Sequence, residues 1–357
     1  ASAPPAGPVS GGFASLAQKR AWILQLEDQR VLRDPTLPES KSDAEDLDIS
    51  SSDSILSSQF SLISPEPDLL KLLKDPIVAI RRRAALAVGR VGLLTGVPGL
   101  VDALSDPRYE VREMAAFGLG LLGDPRASEP LVAALEDSFP IVQARAAEAL
   151  GRIGSSDAVD ALQAMAQRHI TAAYEVDPEE VDYPLAPRVE AFRSGIYALA
   201  AVGNYQALAD TLLTDEGDPI LWWWPVAHAL AQVGDRRAVG PLATLAAIQG
   251  SVGVALAARG LGSLQQSSAL PVLLDLLDLQ RRDRRVVVTA VRALADLGDM
   301  EAEPALRRLL GTPDIDSALL IELVEALAAI NAVGSVDVMV ELLGHSWPPL
   351  RGAALRG

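Results

Sequence analysis

The side chains that could do chemistry are few and widely separated in this sequence. Its three histidines, His169, His228 and His345, lie far apart, with none of the His-x-x-x-His or His-Glu-x-x-His spacings that place two zinc ligands on one helix face. The chain has no cysteine, and no Gly-x-Ser-x-Gly turn that would expose a nucleophilic serine. No glycine-rich loop ends in the Lys-Ser or Lys-Thr that cradles nucleotide phosphates. We therefore expect no catalytic residues, no metal and no cofactor.

Aromatic and arginine side chains are the remaining candidates, because they dominate binding hot spots. Three of the five tryptophans stand together in the run Trp222-Trp223-Trp224-Pro225. Whether such residues act together depends on the elements that carry them.

A 31-residue spacing supplies those elements. Asp75–Gly92, Asp106–Gly123 and Asp137–Gly154 carry the same pattern of turn aspartate, paired alanines and closing glycine. A fixed period of this length indicates units that bury their apolar faces by stacking. Each unit predicts a Leu-rich helix, a turn capped by aspartate, and a second helix that ends at glycine. Because 49% of the residues are hydrophobic and only 4% aromatic, we expect an all-α fold with an Ala, Leu and Val interior.

Asp106–Gly123 shows the motif in full: Asp-Pro-x-x-x-Val-Arg-x-x-Ala-Ala-x-x-Leu-Gly-x-x-Gly. It resembles the HEAT-like repeat of phycobilisome-lyase type, over roughly residues 68–357. The resemblance implies a right-handed α-solenoid of about eight complete helix pairs plus a truncated ninth. The chain contains, in this order, LAQKRAWILQLEDQRVLRDP, a linker, repeats and LWWWPVAHAL. This order of segments is similar to that of exported bacterial HEAT-repeat proteins. Those proteins end in a cyclophilin-type peptidyl-prolyl isomerase domain, and nothing in these 357 residues resembles that domain.

The same resemblance assigns roles to particular positions. The turn aspartates and the arginines six positions later form a structural ladder along the stack, here Asp75, Arg81, Asp106, Arg112 and Asp137. Second helices line the concave side, where the register places Phe117, Tyr197, Trp224, His228, Arg259 and Arg292.

The tryptophan run spans several positions of the repeat. Trp222 falls at a core position of the repeat, and Trp223 falls at the position of the ladder arginines. Two interpretations of Trp223 and Trp224 stay open: packing beside an insertion, or contact with a ligand.

The chain divides into three parts by composition. Residues 1–34 hold a flexible N-terminus and an amphipathic helix over 13–33, which we expect to dock on the array or on a partner. Residues 35–66 form an acidic, Ser-rich linker that could plug the groove. Residues 67–357 form the array, with an acidic, proline-containing insertion near 169–186.

The missing initiator Met and an end inside a second helix predict a fragment of a longer polypeptide. Its expected location is the periplasm or cell envelope, with the cytoplasm as the alternative.

Charge narrows the function. A net charge of −16 argues against nucleic-acid binding, and no apolar run has the length to cross a bilayer. We therefore expect a non-catalytic scaffold that binds a protein or extended peptide, acidic or proline-containing, on its concave surface. One alternative is the substrate-presenting arm of a multidomain peptidyl-prolyl isomerase. The other is a bilin lyase, which would need a chromophore-sized pocket with acid–base groups.

Overall fold

The computed structural model describes residues 14–35, 67–248, 250–313, 315–330 and 333–356. Within these ranges the regular structure is helical, and β pairing is limited to two isolated bridges. The chain forms two compact units, residues 1–153 and residues 154–357. No helix in the described ranges is both long enough and apolar enough to span a membrane.

The described part of the first unit consists of alternating long and short helices. These are α1 (Leu16–Gln29), α2 (Leu69–Leu72), α3 (Val78–Val91), α4 (Val97–Ala103), α5 (Tyr109–Leu122), α6 (Ser128–Ala134) and α7 (Pro140–Ile153). The long helices α3, α5 and α7 pack side by side, and the short helices back them. The prediction of stacked helix pairs is confirmed.

Small residues allow the long helices to approach closely. A Cβ atom added to Gly89 of α3 would lie 2.5 Å from the Cα of Gly118 of α5, so a larger residue would push the two helices apart. The closing glycines serve a different purpose. Gly123 has φ 65°, and its N–H donates to Leu119 O to end α5 with a left-handed residue.

The turn aspartates and arginines make a continuous set of ion pairs in the first unit. Arg81 donates from Nε and Nη2 to Asp106 at 2.6 and 3.0 Å, and from Nη1 to Asp75 O at 2.8 Å. Arg112 repeats this with Asp137, at 2.6 and 2.9 Å. The Lys19 Nζ of α1 extends the row by pairing with Asp75 at 2.5 Å. Each arginine thus joins its own turn to the next one.

Helix α1 packs against α3, which is one of the two outcomes we expected for it. It runs from Leu16 to Gln29 and ends where Arg30 adopts φ 54°. Its Ile23 and Leu26 are fully buried. The start of the predicted helix at residue 13, the rest of the N-terminus and the linker beyond Pro35 lie outside the described residues.

The described part of the second unit has twelve helices. These are α8 (Val159–Ala173), α9 (Pro187–Val202), α10 (Tyr205–Leu212), α11 (Trp224–Gln232), α12 (Val239–Ala246), α13 (Val252–Ser263), α14 (Leu270–Asp275), α15 (Arg284–Leu297), α16 (Glu303–Leu310), α17 (Ser317–Ala329), α18 (Val336–Leu342) and α19 (Pro348–Arg356). Helices α11, α13, α15, α17 and α19 pack in sequence, as the long helices of the first unit do. Residues 174–186, the insert, are not helical.

The prediction that Trp222 belongs to the core is wrong. Trp222 is 42% exposed, and Trp223 is the buried residue, with 2% exposed. The reason is a late helix start: α11 begins at Trp224, six positions after Asp218, whereas α3 begins three positions after Asp75. The intervening chain is held in place by Ile220, whose N–H donates to Leu212 O at 2.9 Å. The repeat register is therefore broken at the tryptophan run.

Candidate binding groove

A groove of about 580 Å³ lies in the second unit, bounded by the insert and by helices α11, α13 and α15. We call it the arginine groove. Its wall on the insert side is formed by Val181 and Tyr183, which are 53% and 57% exposed. Its other lining residues include one acid and three arginines, and they are Trp224, Val252, Ala255, Leu256, Arg259, Arg285, Thr289, Arg292, Ala293 and Asp296.

The insert is fastened to Trp224, at the start of α11. The Trp224 backbone N–H donates to Pro178 O at 3.3 Å, and its indole Nε1–H donates to Glu180 O at 2.6 Å. The tryptophan is therefore half-buried, with its polar edge satisfied by the insert and part of its ring in the groove.

Glu179 fastens the insert to α13. Its carboxylate accepts hydrogen bonds from Ser251 N and Val252 N, at 3.1 and 3.0 Å, and from the Ser251 hydroxyl at 3.0 Å. The Ser251 side chain does not cap α13, so Glu179 satisfies N–H groups that have no partner within the helix. Burial by itself would raise the pKa of Glu179, but these hydrogen bonds outweigh burial and lower the pKa.

Positive charge dominates the far side of the groove. Arg285 and Arg292 lie seven positions apart on α15 and so share a face of that helix. Arg292 pairs with Glu322, with Nε at 2.7 Å. Arg259 and Arg285 have no ion pair with any side chain in the described ranges. Two free guanidinium groups are thus available to an anionic ligand.

A second aromatic and basic cluster adjoins the insert wall. The rings of Tyr197 and His228 meet edge to face, with centroids 4.8 Å apart. Arg193 stands over the rings of both Tyr197 and Tyr183, at 5.2 and 5.4 Å, and pairs with Glu190. Burial lowers the pKa of His228, and the nearby charges of Arg259 and Arg193 lower it further. His228 is therefore neutral at pH 7. Burial also raises the pKa of the neighbouring Tyr197 hydroxyl.

The structure brings most of the predicted groove residues into two neighbouring groups. Trp224, Arg259 and Arg292 line the arginine groove, while Tyr197 and His228 belong to the adjoining cluster. Phe117 is in the first unit instead, where Arg145 and Arg152 stand 5.7 and 5.8 Å from its ring centroid.

Sequence reasoning missed Val181, Tyr183 and Arg285. Arg285 could have been found from its seven-residue spacing to Arg292. Nothing in the sequence pattern indicates where the insert lies.

The first unit has a smaller basic pocket that the sequence analysis also missed. It has a volume of about 370 Å³ and lies between α1, α3 and α5. The exposed side chain of Leu24 lies beside Leu86 and Met114 there, with arginines around them. Among those arginines, Arg20 and Arg82 have no ion pair with a described residue. The pocket thus combines an apolar floor with free positive charge.

Among the described residues, no group of three or more His, Asp or Glu side chains is placed to hold a metal ion. His169, His228 and His345 lie in different helices or turns.

Comparison with known families gives one match. HEAT repeats match residues 97–171 and 279–357. No curated protein matches the sequence.

One of the three solved structures below supports the fold. A chain in the Kap95:Nup1 complex is 14% identical and has a TM-score of 0.53, with 95% of this chain and 53% of that chain covered. An engineered protein is 21% identical over 97% of this chain and 95% of its own, with a TM-score of 0.44. A chain in the CpcE and CpcF complex of phycocyanin lyase from Nostoc sp. PCC7120 is 19% identical, with a TM-score of 0.38 and coverage of 86% and 100%. At these identities the first comparison indicates the fold alone, and the TM-scores of the other two are too low to support an argument.

Proposed function

We propose that this chain, which matches HEAT repeats over residues 97–171 and 279–357, is a non-catalytic scaffold for a partner protein, because stacked repeats form extended binding surfaces. We propose further that the arginine groove holds an extended segment of that partner. The observation that carries this proposal is that the guanidinium groups of Arg259 and Arg285 have no ion pair with a described residue and lie beside Tyr183 and Trp224.

The charge of the groove points to an acidic segment. Arginine makes bidentate, charge-assisted hydrogen bonds to carboxylates, which are stronger than bonds between neutral groups. A chain with a net charge of −16 repels acidic partners from most of its surface, so a local basic groove favours one binding position. Trp224 and Tyr183 add ring faces on which apolar or proline side chains can pack.

The insert is a segment of this chain that the groove helices already bind, through backbone N–H, indole and hydroxyl donors. It is acidic and contains prolines, and its Pro178, Glu179 and Glu180 already bond to the groove helices. A surface that accepts this segment of its own chain is suited to a similar segment from a partner. The groove alone is small for a stable protein interface, so contacts along further repeats would supply the remaining area.

Fluorescence anisotropy with synthetic peptides tests the proposal. The probe is a labelled 14-residue peptide of Glu, Asp, Pro and Tyr, and its control replaces every acid by Gln or Asn. The chain should bind the acidic peptide more tightly, and salt should weaken that binding. The double variant Arg259→Ala with Arg285→Ala should lose ~2 kcal/mol or more of binding free energy.

Arg281→Ala is the matched control, because Arg281 is exposed in the same unit and does not line the groove. It should bind the acidic peptide like the unmodified chain. Equal binding of both peptides, or full binding by the double variant, would overturn the proposal.

The prolyl isomerase and bilin lyase interpretations stay predictions, since no described feature favours either one.

A further inference from the structure

The insert forms one side of the arginine groove, yet it is held by residues far away in the chain. Glu179 bonds to Ser251 and Val252, which are 72 and 73 positions further on, and Glu180 bonds to Trp224, 44 positions further on. Between these anchors and α9, Val181 and Tyr183 point their exposed side chains into the groove. The position of that wall therefore depends on a small number of contacts.

We propose that Glu179 is a positioning residue whose carboxylate holds the insert in place as a wall of the groove. The position of this wall sets the affinity of the groove for an acidic segment that carries an apolar side chain. The inference rests on the proposed function of the groove. Val181, Tyr183 and Leu256 would receive the apolar side chain of the partner. Arg259 and Arg285 would receive the carboxylates that flank it.

The backbone at the start of α13 is shaped to receive this carboxylate. Gly250 has φ 127°, a conformation that side chains other than glycine rarely adopt. A Cβ atom at Gly250 would lie 2.6 Å from Glu179 Oε1, so only glycine leaves room for the carboxylate. The N–H groups of Ser251 and Val252 then point at the carboxylate from the positive end of the helix. Side chain and receiving backbone are thus fitted to each other.

Contacts other than those of the Glu179 carboxylate also hold the wall, and none of them competes for that carboxylate. Asp177 accepts the Glu179 backbone N–H, and the Glu180 carboxylate accepts Asp182 N–H. At the far end, Arg193 stands over the ring of Tyr183. The groups that α13 and its first turn present to the carboxylate are the backbone N–H groups of Ser251, Val252 and Gly253 and the Ser251 hydroxyl, none of which titrates between pH 3 and 7.

The test compares Glu179→Ala, Glu179→Gln and Glu175→Gln in the full chain. Glu175 is an exposed residue of the same insert, so its change removes the same charge away from the anchor. Limited proteolysis at neutral pH, with cleavage sites identified by mass spectrometry, reports release of the insert. Glu179→Ala should speed cleavage within 174–186 by about tenfold or more, because hydrogen bonds to a charged group are lost. Glu175→Gln should cleave at the unmodified rate.

The acidic peptide described above is the binding probe. Glu179→Ala should bind it at least about fivefold more weakly, and Glu179→Gln should fall between it and the unmodified chain, because an amide oxygen still accepts hydrogen bonds. A merely structural residue would not move the pH profile. The Trp224 fluorescence, isolated by subtracting a Trp224→Phe variant, should change as pH falls below 4.5 in the unmodified chain and should stay flat in Glu179→Gln.

The outcomes separate this inference from the proposed function. If the arginine double variant keeps its affinity, the proposed function fails whatever Glu179 does. If that variant loses affinity while the Glu179 variants keep both their affinity and their cleavage rate, only the inference about Glu179 fails. Tighter binding by Glu179→Ala would also overturn it, because the insert would then be a plug that competes with the partner and not a wall.

Discussion

Replacement of Trp223 by alanine is the perturbation whose cost the structure predicts best. Trp223 is 2% exposed, its ring stacks on Phe192 with centroids 6.5 Å apart, and it meets Trp224 edge to face at 6.3 Å. A buried tryptophan removes about 150–250 Å² from water. At about 25 cal/mol per Å², that area corresponds to about 4–6 kcal/mol. We expect Trp223→Ala to lower the free energy of unfolding by about 3–5 kcal/mol, since neighbours relax partly into the cavity.

Two further substitutions, at Trp222 and at Trp223 itself, calibrate this value. Trp222 is 42% exposed, so by the same area scale Trp222→Ala should cost about 2–3 kcal/mol, less than Trp223→Ala. Trp223→Phe should be far milder than Trp223→Ala, at about 1 kcal/mol. The phenyl ring keeps most of the packing, and the substitution removes an indole N–H that has no hydrogen-bond partner among the described residues.

Urea unfolding followed by circular dichroism is the assay, with the four chains compared at the same protein concentration. Because repeat arrays can unfold in stages, hydrogen exchange of the amides in α9 and α11 should accompany it and locate the loss. A cost for Trp222→Ala equal to that of Trp223→Ala would refute the account of the late helix start. So would a cost for Trp223→Ala below about 1 kcal/mol.

Three further predictions concern other parts of the molecule. Asp106→Ala should cost about 2–3 kcal/mol in urea unfolding, because it leaves the partly buried Arg81 without its carboxylate, whereas Asp102→Ala serves as the control, since its side chain is 70% exposed. Ile23→Ala should lower the thermal midpoint of the first unit, because removal of this buried side chain of α1 costs about 2–4 kcal/mol of unfolding free energy. An unchanged midpoint would show that α1 is only a tether. The lowered pKa of His228 predicts that the stability it contributes is full above pH 6.5 and declines as pH falls through its folded pKa. His228→Gln should flatten that part of the pH–stability curve, and an unchanged curve would contradict the assignment.

Much of the architecture could be predicted from the sequence because the repeat pattern is local. The pairing of Arg81 with Asp106 spans 25 positions, but it follows from a 31-residue period and a six-residue offset within one unit. The alanine and glycine columns likewise predict close helix packing without knowledge of any other part of the chain. The register also predicted that Arg259 and Arg292 share a face, since they occupy equivalent positions of stacked helices, and both line the arginine groove.

The tertiary structure decided everything that departs from the period. The late start of α11 exchanged the roles of Trp222 and Trp223, because a pairing between Ile220 and Leu212 holds the preceding chain extended. The course of the insert has no periodic neighbour from which to infer it. Its position follows from hydrogen bonds between Glu179 and a helix start 72 positions away, and only the folded chain brings those groups together. Periodic contacts repeat and can be read from one unit to the next, whereas a single long-range contact occurs once and leaves no pattern in the sequence.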